Sequence, residues 1–137
     1  LRETTDAVSQ VRIPGHIKAP LVIKTALRWA RLGDEAALAE LVPLADELIT
    51  GGDLQDIEQP TAYAELAEVL AAAGKKADAQ AYFRTSTDLA RALINPRPRA
   101  ISCVDISLAL HRSGMDMDFL RKELDALLAT FNGASSK

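Results

Sequence analysis

Three glycines, Gly33, Gly74 and Gly114, stand 41 and 40 residues apart, and each separates two stretches of helical pattern. The flanking segments read ALRWARLG-DEAALAEL, ELAEVLAAAG-KKADAQAYF and DISLALHRSG-MDMDFLRKEL. Glycine adopts the left-handed conformation at least cost, so at these points it ends one helix and turns the chain into the next. One helix–turn–helix unit at a fixed period of this size predicts an all-α fold, an α-solenoid of stacked antiparallel hairpins. Such stacks present surfaces for other proteins rather than pockets for chemistry.

The unit boundaries follow from the punctuation. The first helix of each pair is expected to open near Pro20, Pro60 and Pro98, because proline suits the first turn, where its missing N–H has no intrahelical partner to lose. The pairs then span 18–50, 60–94 and 98–131, with second helices over 34–50, 76–94 and 116–131. Asp34 and Asp116 stand where a carboxylate N-caps a helix. Residues 1–15 match the stretch before the third pair and read as the tail helix of a preceding, truncated repeat, giving about seven helices in one domain over 1–131. Residues 132–137 are a polar tail. The chain opens at Leu1 without a methionine or a signal-like segment, which reads as a piece of a longer protein.

Apolar residues at helical spacing name the core. The middle unit offers Tyr63, Leu66, Ala67, Leu70 and Ala71. The second helices offer Leu38, Leu41, Ala45, Leu48 and Ile49; then Ala79, Tyr82, Phe83, Leu89, Ala90 and Leu93; then Phe119, Leu120, Leu124, Leu127, Leu128 and Phe131. Aromatics make up only 4% of the chain, so small side chains between close helices must supply most of the packing. Two features break the pattern. Pro43 lies inside a second helix and should kink it, and the connection from Thr50 to Gln59 is long, acidic and expected to be mobile.

The net charge of −3 conceals segregation. Residues 32–74 carry ten acids and no Lys or Arg, whereas 1–31 and 75–101 each carry six bases and two acids. A nucleic-acid surface wants a continuous basic stripe, so this banding excludes that class. The acidic band over 34–68 is either a solvated face attracted to its neighbours or a patch that steers a basic partner. No apolar run reaches the ~20 residues of a membrane span. One cysteine excludes an intramolecular disulfide and leaves a cytoplasmic location as the expectation.

Aligned on the glycines, the units resemble tetratricopeptide repeats. Tyr63, Leu66, Ala67, Leu70, Gly74, Ala79 and Phe83 of the middle unit fall on that family's packing positions. Val22, Ala26, Trp29 and Gly33 do so in the first unit, and Ile106, Ser107, Leu110 and Gly114 in the third. Leu38 and Phe119 depart from the family's small residue. The period also exceeds the family's, and HEAT-like repeats share it and stay open as a label. The resemblance implies a right-handed superhelix whose first helices line a concave face binding a peptide or helix of a partner protein. Carried over by position, that face takes Ile23, Leu27, Ala30 and Arg31; Ala64, Glu68 and Ala71; and Val104, Leu108, His111 and Arg112. Leu27 and Leu108 would make apolar contact, and Arg31, Glu68, His111 and Arg112 would select polar groups. The expected function is a non-catalytic scaffold; the alternative is a regulatory or assembly segment of a larger enzyme or signalling protein.

Candidate chemistry is thin. Ser107 and His111 lie one helical turn apart with Asp105 nearby, but Ser107 holds the small packing position, which accounts for it without catalysis. Cys103, His111 and His16 lack paired metal-ligand spacing, and Cys103 aligns with the core positions Val22 and Tyr63. Gly51-Gly52 follows a helix with no Lys-Ser/Thr after it, which excludes a phosphate loop. Arg91, Arg97 and Arg99 either grip an anion on a partner or complement a helix end and the acidic band. Trp29, aligned with Leu70 and Leu110, belongs to the core. No catalytic residue, cofactor or metal site is expected.

Overall fold

The computed structural model describes residues 14–51 and 54–135, the last five of these by backbone alone. Six helices and no strand occur among them: α1 (Gly15–Leu32), α2 (Glu35–Thr50), α3 (Gln59–Ala72), α4 (Lys76–Ala92), α5 (Pro96–Ser113) and α6 (Asp118–Ser135). The helix expected at 1–15 falls almost wholly outside the described residues. Each glycine of the repeat has positive φ, at 77°, 79° and 68° for Gly33, Gly74 and Gly114. At Gly33 the N–H donates to the Ala30 carbonyl and the next N–H, of Asp34, donates to Trp29, which closes the last turn of α1. Asp34 then caps α2 by accepting from the Ala37 N–H at 3.0 Å.

Each second helix folds back on its first helix, so α1–α2, α3–α4 and α5–α6 are hairpins. The first helices also pack on one another, α1 against α3 and α3 against α5. The central helix α3 thus meets neighbours on most sides and buries an unbroken run from Leu66 to Leu70, Glu68 included. Two clusters meet along it. One is built from α1, α2 and the outer side of α3, with Val22, Trp29, Leu41 and Ile49; the other from α3 to α6, with Phe83, Ile106, Leu110 and Leu124. The repeat-equivalent trios Val22/Tyr63/Cys103 and Trp29/Leu70/Leu110 are all buried, and so are Ala26 and Ala67 at the small position. Trp29 is therefore core packing.

Several boundary expectations need correction. α1 opens at Gly15, five residues before Pro20, which sits inside it. Pro20 leaves the His16 carbonyl without its helical donor, and that first turn is exposed to water that can replace it. The last helix opens at Asp118, so Asp116 is not its cap. Met115 is buried in the second cluster, and the chain uses two further residues before it turns helical. The same shift overturns the placement of Phe119 in the core. It is 66% exposed, with the Arg84 guanidinium 5.9 Å from its ring centre, while Leu120 takes the buried place.

The connection between α2 and α3 was expected to be mobile, yet its Leu54 is buried in the first cluster. Pro43 lies within a continuous α2 and, like Ala39 one turn before it, is exposed. Both line a cavity of about 340 Å³ between α2 and α4, where water reaches the carbonyl that Pro43 leaves without a donor.

Polar contacts join the first two hairpins. Tyr63 of α3 stacks on Tyr82 of α4 at 5.8 Å and donates its hydroxyl to Asp46 of α2 at 3.1 Å. Burial, then the Asp46 carboxylate, pushes the Tyr63 phenol up to about 12 from 10.0. The neutral phenol is favoured in the fold, so its contribution is complete below the unfolded value and is lost as pH rises from about 10 to about 12. Thermal melts across that window should show a steep fall that Tyr63→Phe reduces. Tyr82, whose phenol burial also pushes up, would account for the remainder. An unchanged alkaline profile in the variant would refute this assignment.

Candidate functional site

The side-by-side packing of α1, α3 and α5 creates a shared face with two adjoining cavities. Their linings overlap at Ile23 and Glu65. The cavity toward the helix C-termini, about 350 Å³, is lined by Ile23, Lys24, Leu27 and Arg31 of α1, Glu65 and Glu68 of α3, and Arg112 of α5. Five of the residues expected at a concave face, Ile23, Leu27, Arg31, Glu68 and Arg112, therefore come together from three helices. Ala30 and Ala64 of the same face are buried, and Ala71 is half-buried. Val104, Leu108 and His111 line neither cavity and lie exposed on α5.

The polar groups of this face are ordered by one another. Arg112 donates from Nε and Nη2 to Glu68 Oε1, both at 3.0 Å, holding α5 to α3. Glu68 is buried while Arg112 stays half-exposed, so the pair keeps solvent on its cationic side. One turn from the other end, Thr61 donates to Asp105 Oδ2 at 2.7 Å across the same two helices. Asp105 and Arg112 lie seven residues apart on α5, about 10 Å along the axis. The face thus carries Asp105 toward one end and Arg31 and Arg112 toward the other.

The cavity toward the helix N-termini is larger, about 390 Å³, and mainly apolar. α1 gives Pro20, Ile23 and His16, α3 gives Thr61, Ala62 and Glu65, and α5 gives Ile101 and Asp105. The α2–α3 connection closes it with Leu54, Ile57 and Glu58. Sequence reasoning missed this half. One signal was present: Lys24, Glu65 and Asp105 are spaced 41 and 40 apart and place a charge at the same register of each unit. No periodicity announced Leu54 and Ile57, because the connection has no counterpart in the other units. Burial raises the pKa of Glu65, with Glu68 and Asp105 adding to the rise while Arg112 and Lys24 oppose it.

The residues weighed for chemistry are otherwise engaged. The Ser107 hydroxyl donates to the Cys103 carbonyl at 2.8 Å, and Asp105 accepts from Thr61. Cys103 is buried, and burial pushes its thiol pKa up, away from a reactive thiolate. Among the described residues no group of three His, Cys, Asp or Glu side chains could hold a metal ion. Arg91 pairs with Asp88 at 2.9 Å and with Glu123 of α6 at 2.8 Å, and Arg99 donates to the Leu93 carbonyl at 3.3 Å. Two of the three arginines of that cluster are thus spent on holding the inter-hairpin turn and α6. Among the described residues, no helix is long and apolar enough to cross a membrane.

No family model, curated protein or solved structure matches this chain.

Proposed function

We propose that this chain is a non-catalytic protein–protein interaction scaffold, a tetratricopeptide-like α-solenoid whose first helices form the concave wall of a right-handed superhelix. The observation that carries the reading is the meeting of Ile23, Leu27, Arg31, Glu68 and Arg112 in one groove across α1, α3 and α5. Each comes from the repeat position that the resemblance assigns to a binding face. The groove wall is backed by two packed clusters and cross-linked by the Arg112–Glu68 pair, so a docking segment orders little of the scaffold. The setting of this reading is cytoplasmic, with Cys103 a reduced core residue.

A photocrosslinking amino acid at position 31, compared with one at Gln80 on the exposed side of α4, tests the reading in native lysate. Partners should be captured from position 31 and not from position 80, and Arg112→Ala should diminish that capture while helical content is kept. Equal capture from both positions would remove the groove from the reading.

One observation favours a second reading, an assembly segment of a larger protein. Val104 and Leu108 of α5 are 46% and 50% exposed, whereas their equivalents Ala64 and Glu68 in α3 are buried. An exposed stripe at those positions suits a stack that continues beyond α6, and its test is whether longer pieces of the parent protein bury Val104 and Leu108.

A further inference from the structure

The scaffold reading leaves open what chemistry the groove accepts, and the cavity at its N-terminal mouth answers more narrowly than the rest of the face. We infer that this mouth is an anchor subsite for a bulky aliphatic or aromatic side chain that stands next to a Lys or Arg in a partner polypeptide. The inference rests on the scaffold reading and adds the class of ligand.

Three observations support it. First, the cavity of about 390 Å³ falls in the range of pockets that enclose small ligands or side chains, and its floor is apolar. Ile57 of the connection and Ile101 of α5 both line it while each remains roughly half exposed. Apolar side chains left in this state gain by being covered. Second, Glu58, Glu65 and Asp105 stand in its lining, and no Lys or Arg does. A cation beside the apolar anchor meets three carboxylates there, and a phosphate or carboxylate meets repulsion. Third, the walls come from separately fixed elements. Thr61 holds Asp105 at 2.7 Å, and buried Leu54 roots the connection that carries Ile57 and Glu58. The subsite is preformed, so binding loses little ordering entropy.

Burial already disfavours the ionised form of Glu65, and a docked cation offsets this. A second copy of the chain is the weaker occupant. Of the exposed residues at the start of its own stack, Leu21 on α1 is the large apolar one near Lys24 and Arg28, but at 45% exposed it is already more than half covered and offers less apolar surface than a free side chain.

The test is selection of a phage-displayed random peptide library on the folded chain, with the recovered peptides synthesised and titrated by fluorescence anisotropy. The expected consensus is a large apolar residue adjacent to Lys or Arg. Ile101→Asp should weaken those peptides by about tenfold or more, as the loss of a central anchor contact does. Glu58→Gln combined with Glu65→Gln should weaken them severalfold and flatten their dependence on salt. Ile101 is exposed enough that its variant should keep the wild-type helical signal, and Ile57→Asp provides an independent second probe of the same wall.

Peptides with an acidic consensus would overturn the inference. Peptides indifferent to Ile101→Asp and Ile57→Asp but lost with Arg31→Glu would overturn it as well, and would leave the scaffold reading standing. Failure to select any peptide that depends on the groove would overturn both. Self-association in sedimentation that Ile101→Asp abolishes would assign the mouth to a second copy and overturn the inference.

Discussion

Phe83→Ala is expected to lower the free energy of unfolding by about 3–5 kcal/mol, out of the roughly 5–15 kcal/mol that a domain of this kind holds. Phe83 is the largest of the fully buried side chains and lies at the centre of the second cluster, among Ala64, Ala67, Ile106 and Leu110. The Ile and Leu neighbours are themselves fully buried and close-packed, so they relax only partly into the space. The loss combines removed apolar burial with a cavity that stays open. Urea titration followed by circular dichroism measures it, and a shift below about 1 kcal/mol would show that Phe83 does not hold α3, α4 and α5 together.

Ala67→Leu works in the opposite direction, by overfilling. Ala67 is fully buried where α3 meets its hairpin partner and the second cluster, at the position that repeats as Ala26 and Ser107. Added methylenes there have no empty volume to enter, so side chains leave their rotamers or the two helices part, at about 1–3 kcal/mol. Ala72→Leu on the same helix is the control. Ala72 is exposed, and its substitution should stay within about 0.5 kcal/mol of wild type. Equal effects at the two positions would refute the claim that the small residue sets the hairpin distance.

Both expectations were within reach of sequence reasoning because they depend on local periodicity. Helical spacing placed Phe83 and Ala67 in the core, alignment of the units placed Trp29 and Cys103 there, and all four are buried. The repeating glycines placed the turns, since each must supply a positive φ wherever an α-helix is to end in this way. Errors arose where the alignment was carried across a connection whose length differs. Phe119 was placed in the core together with Leu120, but the buried Met115 and the later start of α6 turn Phe119 outward and leave Leu120 inside. Pro20 was assigned by its preference for a first turn, and an exposed turn tolerates proline further in.

The candidate site divides in the same manner. Ile23, Leu27, Arg31, Glu68 and Arg112 were found because one register repeats in three helices, and the side-by-side packing of those helices brings that register onto one face. The apolar mouth was not found, because Leu54 and Ile57 belong to a connection without a period and Ile101 looked like any apolar residue of α5. A side chain's neighbours across a groove depend on inter-helix distance and rotation, which no single helix encodes.

The amino-acid sequence alone was enough for the helices, their approximate ends, the pairing into hairpins and most of the core. Each of these follows from interactions within a few turns of chain: the 3.6-residue period, a glycine's φ, a cap or a proline. The opposition of an acidic apolar mouth to a more basic end and the burial of Glu68 under Arg112 emerged only when α1, α3 and α5 were stacked, and the outward turn of Phe119 only when α6 was docked behind the buried Met115. Stacking sums many weak long-range contacts, so a shift of one or two residues in a connector reassigns what is buried. The three evenly spaced glycines dictate that helices pair; the packing of those pairs gives them a surface with two unlike ends.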